Sequence, residues 1–220
     1  MSGILRFIVF GSTICCLLVF NSSCTKDSIV DRKQDTIKIA RIYQPSLTVG
    51  KDAVIESVLP DTNFGDSVLF SVFSWTNDGL FNTARALLEY DLTVFTPKTK
   101  ITKAVLSLFW ISYRNLTEHT GDNAFTIYRI IESWDEHLVT WNNQPDTTTL
   151  HKIQIAESSY ITQSYVDIDV TEMVRDMIEN PTQSHGFMLR LDEEFPYKLV
   201  ILASSDYPDK SKRPKLVVYY

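Results

Sequence analysis

Trp134-Asp135-Glu136-His137-Leu138-Val139-Thr140-Trp141-Asn142-Asn143-Gln144-Pro145 is the stretch that decides how the rest of the chain is read. Each of its two tryptophans can bury about 150–250 Å² and needs a partner for its N–H when it does. Leu138-Val139-Thr140 between them is a short β-branched run, and Asn142 to Pro145 is a turn cluster that stops it. The ordinary reading is a hydrophobic plug at a strand end, with Trp134, Glu136, Trp141 and Asn142 structural. The alternative is a pair of indole faces offered to a sugar.

Outward from this stretch the pattern is that of short strands. Phe125 to Ile131 feeds it. Upstream, Ile37, Ile39 and Tyr43 alternate with polar groups as a first strand, and Asp52 to Leu59 forms a second, ended by the turn Pro60-Asp61-Thr62-Asn63. Val68 to Trp75 is a third, closed by Asn77-Asp78-Gly79. Ala84 to Leu92 is apolar on both sides, as expected of a strand covered on both faces. Ile101 to Ile111 places Ala104, Leu106, Leu108 and Trp110 on a core face. Its other face, with Val105, Phe109 and Ile111, is too apolar to be left open. Tyr113 to Asn123 is a polar loop longer than a hairpin requires.

Downstream, residues 146–164 are rich in Thr and Ser, with one short strand around Ile153 and Ile155, and Tyr165 to Val170 is another. One helix is expected: Asp169 and Glu172 have capping-box spacing, Met173, Val174, Met177 and Ile178 form a stripe, and Asn180-Pro181 ends it. Gly186–Leu191, Leu199–Ala203 and Lys215–Tyr220 supply the last strands. About ten short strands and one short helix predict an all-β fold, a two-sheet antiparallel β-sandwich of the jelly-roll kind.

The tryptophan-flanked stretch, with Ile127-Tyr128-Arg129-Ile130 before it, resembles the signature of the DNRLRE family of bacterial exported β-sandwich domains. It is similar to the non-catalytic carbohydrate-binding modules that accompany alginate and other polysaccharide lyases. Gln44-Pro45, Gly50-Lys51-Asp52-Ala53 and Pro60 to Gly65 resemble the family's opening, and Arg85-Ala86-Leu87-Leu88-Glu89-Tyr90-Asp91-Leu92 its central strand. Asp169-Val170-Thr171 with Val174, and Arg213 to Val218, resemble its last third. The resemblance implies a polysaccharide as partner over one domain, residues 36–220.

Composition limits the other partners. The net charge is −6, and the first 23 residues hold one basic group and no acid. The remainder is therefore acidic, which argues against nucleic acid. Residues 1–23 read as a secretory signal with Arg6 near its start. Asn21-Ser22-Ser23-Cys24 resembles a bacterial lipobox, although Asn21 stands where leucine is usual, so Cys24 is the expected lipidation site. Residues 24–35 then form a polar tether whose Thr25-Lys26-Asp27 resembles those of Bacteroidetes lipoproteins. The expected place is the outer membrane or cell surface, anchored by lipid. After Cys24 no cysteine follows, so neither disulfides nor thiolate metal sites hold the domain.

No catalytic residue is expected. His119, His137, His151 and His185 show no metalloprotease spacing, and no serine lies in a nucleophile elbow. Glu193-Glu194 read as solvated acids. No cofactor is expected, and calcium is the one ion for which oxygens are at hand, from Asp61, Asp66, Asp78 and Asp206. Glycan binding asks for aromatic faces and planar polar groups outside the core, and the candidates are Trp75, Tyr113, Arg114, Arg190, Tyr197 and Tyr207. Arg85 reads as paired with a carboxylate at the sandwich rim, or else as a ligand contact. Two rival readings are a structural or adhesive surface lipoprotein that binds another protein and, more distantly, a polysaccharide-degrading enzyme.

Overall fold

The computed structural model of the chain describes residues 39–44 and 50–220. The expected signal, Cys24 and the tether lie outside the described residues. Residues Ile37–Tyr220 form one compact unit. Its elements in chain order are β1 (Ala40–Tyr43), β2 (Gly50–Glu56), β3 (Val72–Asn77), β4 (Leu80–Tyr90), β5 (Lys103–Leu108), β6 (Phe125–Ile130), β7 (Thr147–Ile155), β8 (Tyr165–Asp169), α1 (Thr171–Glu179), β9 (Phe187–Leu191), β10 (Lys198–Val200) and β11 (Lys215–Tyr219), with two short 3₁₀ turns.

All named strand pairs are antiparallel and fall into two sheets. The smaller has the order β1-β11-β5-β8; the larger has β10-β3-β4-β9-β6-β7, with β2 also paired to β4. This is the expected jelly-roll sandwich. The core between the sheets takes Val54, Ala86, Leu88, Ile127 and Leu189 from the larger sheet, and Ala104, Leu106, Leu108, Leu216 and Val218 from the smaller. Helix α1 adds Met173, Val174, Met177 and Ile178, the four residues of the expected stripe.

β4 is buried on both faces, as its apolar run requires. Leu87 faces away from the main core and packs with Ala53, Ile55, Ile130 and Met188 in a second cluster. The strand expected over Ile101–Ile111 stops at Leu108, and the second face of that run is covered: Val105 and Ile111 are buried, and Lys215 lies over the Phe109 ring.

Four expectations need correction. Ile39, expected to alternate inward with Tyr43, precedes β1 and is exposed, as is Ile42 within it, because β1 is an edge strand and only Tyr43 reaches the core. The strand around Ile153 runs the full length Thr147–Ile155, held along β6 by a ladder that its polar composition hides. The helix has no capping box: Val170 is the N-cap, Asp169 Oδ1 accepts from Thr171 N at 2.9 Å, and Glu172 pairs with Arg175 instead. Leu138-Val139-Thr140 is no strand. Leu138 N and Val139 N both donate to Asp135 O, and Asp135 Oδ1 accepts from His137 N, so local turn chemistry overrides β propensity there.

Candidate functional site

The tryptophan-flanked stretch closes the outward face of the larger sheet. Trp134 is 8% exposed over Ala53, Ile55, Leu87 and Met188, and its Nε1–H donates to His185 O at 2.9 Å. Lys51 Nζ lies 4.4 Å from its ring centroid and donates to Trp134 O. Glu136 Oε1 accepts from Asp52 N at 2.8 Å, which covers a donor on the open edge of β2. Asn142 Nδ2 donates to Asp61 Oδ1 at 2.8 Å. Half-buried Trp141 lies under Arg85, whose guanidinium carbon is 4.5 Å from its centroid. The same guanidinium holds both Glu194 oxygens at 2.8 Å and Gln144 Oε1 at 2.7 Å. Arg85 is thus carboxylate-paired at the rim, and Glu194 is bound rather than merely solvated. Glu193 also has a partner, Lys198 Nζ at 3.0 Å.

The other candidates fall in different places. Asp78 and Gly79 have φ of 49° and 80°, the paired left-handed residues of a tight hairpin turn joining β3 to β4. The resulting register sets Trp75 opposite Asn82 and Phe73 opposite Ala84, while β2 sets Glu56 opposite Ala84. Directly opposed residues share a face. Trp75, Phe73, Asn82 and Glu56 therefore line one open groove of about 450 Å³, with Phe64 and Leu116 on its walls. Trp75 is 39% exposed, and Tyr197 meets it edge-on, with centroids 5.2 Å apart and planes at 86°. Asn82 Nδ2 donates to Glu56 Oε2 at 3.0 Å, fixing both polar groups beside the indole.

The loop after Ile111 reaches this groove, but through Leu116. Tyr113 and Leu116 exchange backbone hydrogen bonds at 2.9 Å in a closed turn. The Tyr113 ring packs on Ile111, Leu199, Ile201 and Ala203, and Arg114 lies 5.0 Å above it. Tyr207 packs on the same cluster, and its carbonyl accepts from Arg213 Nε at 2.8 Å. Arg190 faces outward as its strand predicts, 5.0 Å from the Tyr128 ring centroid. Leu189 opposes Ala86, so Arg190 projects from the opposite face of the sheet to the groove. The structure brings Trp75 and Tyr197 together and keeps Arg190 apart from them. Phe73, Asn82 and Glu56 went unnoticed in the sequence; the Asp-Gly turn was the signal, since it pins Asn82 across from Trp75.

A second buried polar region lies at the β2 edge. Asp52 Oδ2 accepts from Ser205 N at 2.6 Å. Burial pushes its carboxyl up to about 7, against the pull of the Ser205 hydrogen bonds, and Asp206 and Glu136 add to the rise. Burial likewise raises Glu136 and Asp206. Among the described residues no group of three or more His, Cys, Asp or Glu is placed to hold a metal ion. His119 is buried, with Nδ1 accepting from Ile201 N at 3.0 Å and Nε2 bonded to Gln163 O at 2.8 Å. Its pKa is lowered by burial, and both ring nitrogens are engaged.

Other cavities are present among the described residues. One of about 570 Å³ lies at the start of α1, without a Phe, Tyr or Trp in its lining. One of about 280 Å³ is enclosed by Tyr90, Phe95, Met177 and Phe187. The Trp75 groove alone of the three combines an indole with amide, hydroxyl and carboxylate groups.

The family model for carbohydrate-binding module family 96 matches residues 44–220. No curated protein matches the chain.

Proposed function

The chain belongs to carbohydrate-binding module family 96, a family of non-catalytic binding modules, and from that membership we propose that the Trp75 groove holds a polysaccharide. The observation that carries the reading is the Trp75–Tyr197 pair at the mouth of a groove with Asn82 and Glu56 beside it. A sugar ring has an apolar C–H face and a belt of hydroxyls, so it needs a flat apolar partner and a few fixed polar groups. Trp75 is the flat partner, and Tyr197 braces it. The amide of Asn82 and the carboxylate of Glu56 are held at the height of the hydroxyls by their mutual hydrogen bond.

The DNRLRE-type signature belongs to this proposal as a fold marker. Trp134, Trp141 and Arg85 are occupied by packing and pairing, so the signature sets the sandwich while the hairpin face carries recognition. Export and a lipid on Cys24 complete the reading, with the module displayed at the outer membrane or cell surface. A structural or adhesive lipoprotein would need an exposed apolar patch, and the apolar face that carries Phe109 and Ile111 is one place for it. Ile111 is 3% exposed and Phe109 lies under Lys215, so a patch there supports that alternative less than the groove supports the glycan reading.

The test is a glycan-array screen of the soluble form that starts after Asp35, followed by titration calorimetry of the strongest hit. Trp75→Ala should weaken binding at least tenfold, about 1.4 kcal/mol or more. Unchanged affinity in that variant would place the site outside the groove.

A further inference from the structure

We propose that Tyr197 is a positioning residue for the glycan site, with Gly121 clamping its backbone so that its ring braces Trp75; this rests on the glycan reading given above. Tyr197 has φ of 70°, in the left-handed region. Among the described residues five non-glycine residues share that region, and Tyr197 is the one with a benzene ring. Such a backbone costs a bulky side chain free energy that glycine or asparagine is largely spared. Burial returns little of it, since Tyr197 is 58% exposed. A tyrosine there is a poor choice for stability alone. Residues held in strained conformations persist where their surroundings fix them, and they gather at ligand sites. The ring partner of Tyr197 is the groove's own indole, with centroids 5.2 Å apart and planes at 86°.

The clamp lies on the other side of the Tyr197 backbone. Thr120 and Leu199 exchange backbone hydrogen bonds at 2.9 Å, which ties the end of the Tyr113–Asn123 loop to β10. Asn123 anchors that loop end in turn: its Nδ2 donates to Ser158 Oγ at 3.0 Å, and its Oδ1 accepts from Ser158 N at 2.8 Å. Between Thr120 and Asn123 stands Gly121, with φ of 68°, and a Cβ on it would lie 2.3 Å from Tyr197 O. A side chain at that position would push the Tyr197 peptide aside and turn its ring off the indole. On the β3 side, Lys198 opposes Ser74, which sets the start of β10 beside Trp75. Tyr197 is thus pinned from both sides, and the half-exposed indole is braced before any sugar arrives. Bracing of this kind raises affinity by lowering the cost of ordering the site on binding.

The experiment uses the full-length chain in a zwitterionic detergent. Hexasaccharides of β-1,4-glucan, β-1,3-glucan and a β-1,4-linked uronate are titrated by calorimetry, and the tightest binder of the three is carried through the variants. Tyr197→Asn suits a left-handed backbone, so it should melt near the parent and bind about threefold more weakly, within what an aromatic pair contributes. Tyr197→Phe should restore the affinity, because the ring carries the contact with Trp75. Gly121→Ala should weaken binding by a similar factor in the parent and add nothing to Tyr197→Asn. A glycine with a merely structural role would instead lower the melting temperature and leave the dissociation constant of the folded protein unchanged, which overturns the clamp. Equal losses from Gly121→Ala in both backgrounds also overturn it. Should Gly121→Ala give no folded protein, the two Tyr197 variants decide. Parent-like affinity in Tyr197→Asn, with Trp75→Ala still weakened, overturns the bracing and leaves the glycan reading intact. Binding of none of the three probes, or equal binding by the parent and Trp75→Ala, overturns the glycan reading and this inference with it.

Discussion

Asn63 donates its side-chain amide to Glu136 O at 2.8 Å and, from the same nitrogen, to Val139 O at 2.7 Å. Two segments more than seventy residues apart are joined at this point: the Pro60–Gly65 turn and the tryptophan-flanked loop. The approach is close. A Cβ on Gly65 would lie 2.1 Å from Glu136 O, so only glycine fits beneath that carbonyl. Lys51, Asp52, Asp61, Arg85 and Gln144 all contribute to the same junction. Several of the scattered motifs that suggested a family, those of the opening, the central strand and the tryptophan-flanked stretch, meet in this one contact surface.

Gly65→Ala should therefore destabilise by about 1–3 kcal/mol, the usual cost of forcing atoms into a packed site. Asn63→Ala should cost a similar amount by leaving two carbonyls without their donor. Urea titrations of both variants measure this. Parent-like midpoints would mean that the loop is not docked as described.

Trp134→Ala should cost about 3–5 kcal/mol, because it opens a cavity over β2, β4 and β9 and strands His185 O. Trp141→Ala should cost less, since that ring is only half-buried under Arg85. Thermal unfolding separates the two. Equal losses would contradict the difference in burial.

Asp52 sets a pH dependence of definite sign. Its folded-state value of about 7 lies above the ordinary 3.8, so the folded chain holds a proton that the unfolded chain releases. Its contribution to stability is present below about pH 4 and is lost as pH rises through about 7. His119 works in the opposite sense: burial lowers its pKa from 6.5, so its contribution is present above that value and falls on acidification. Asp52→Asn keeps an acceptor for Ser205 N and should flatten the loss between about pH 4 and 7. Stability curves from urea melts at stepped pH test it, and an unaltered slope in the variant would show that Asp52 is charged in the folded state.

Cys24→Ala should release the protein from membranes, because each buried CH₂ of a lipid chain contributes about 0.8 kcal/mol to anchoring. Fractionation of cells expressing the parent and the variant reads this directly. Membrane partitioning of the variant equal to that of the parent would remove Cys24 as the anchor point.

The fold was legible because its signals are local. The double-sided apolar run of β4, the Asp-Gly hairpin and the α1 stripe each follow from a few neighbouring residues. Pairing partners were not legible. Nothing local to Asp61 announces Asn142, and nothing near Glu194 announces Arg85, because these contacts depend on how the sheets close. The same limit applied to the groove. Trp75 and Tyr197 read in sequence as separate exposed aromatics, yet their edge-to-face contact spans 122 residues of chain and arises where β3 pairs with β10. Tyr113 and Arg114 lie at the start of a loop longer than a hairpin requires, and length alone does not reveal that the turn folds back onto Ile111 and Leu199.

That last difference separates two groups of candidates by experiment. Tyr113 covers a small cluster with Ile201 and Ala203 beneath it, so Tyr113→Ala should lower the melting temperature. Its effect on glycan affinity should be small once folded protein is counted. Trp75 is 39% exposed and braced from one side, so Trp75→Ala should melt close to the parent and lose at least tenfold in affinity. Tyr197→Ala should lose less, because it supports the indole rather than covering the ligand. Arg190→Ala, on the other face of the sheet, should leave affinity unchanged. Calorimetry and thermal melts on the four variants give a pattern of losses rather than a single number. If Tyr113→Ala and Arg190→Ala abolish binding while Trp75→Ala does not, the ligand lies away from the hairpin face and the groove is a feature of packing alone.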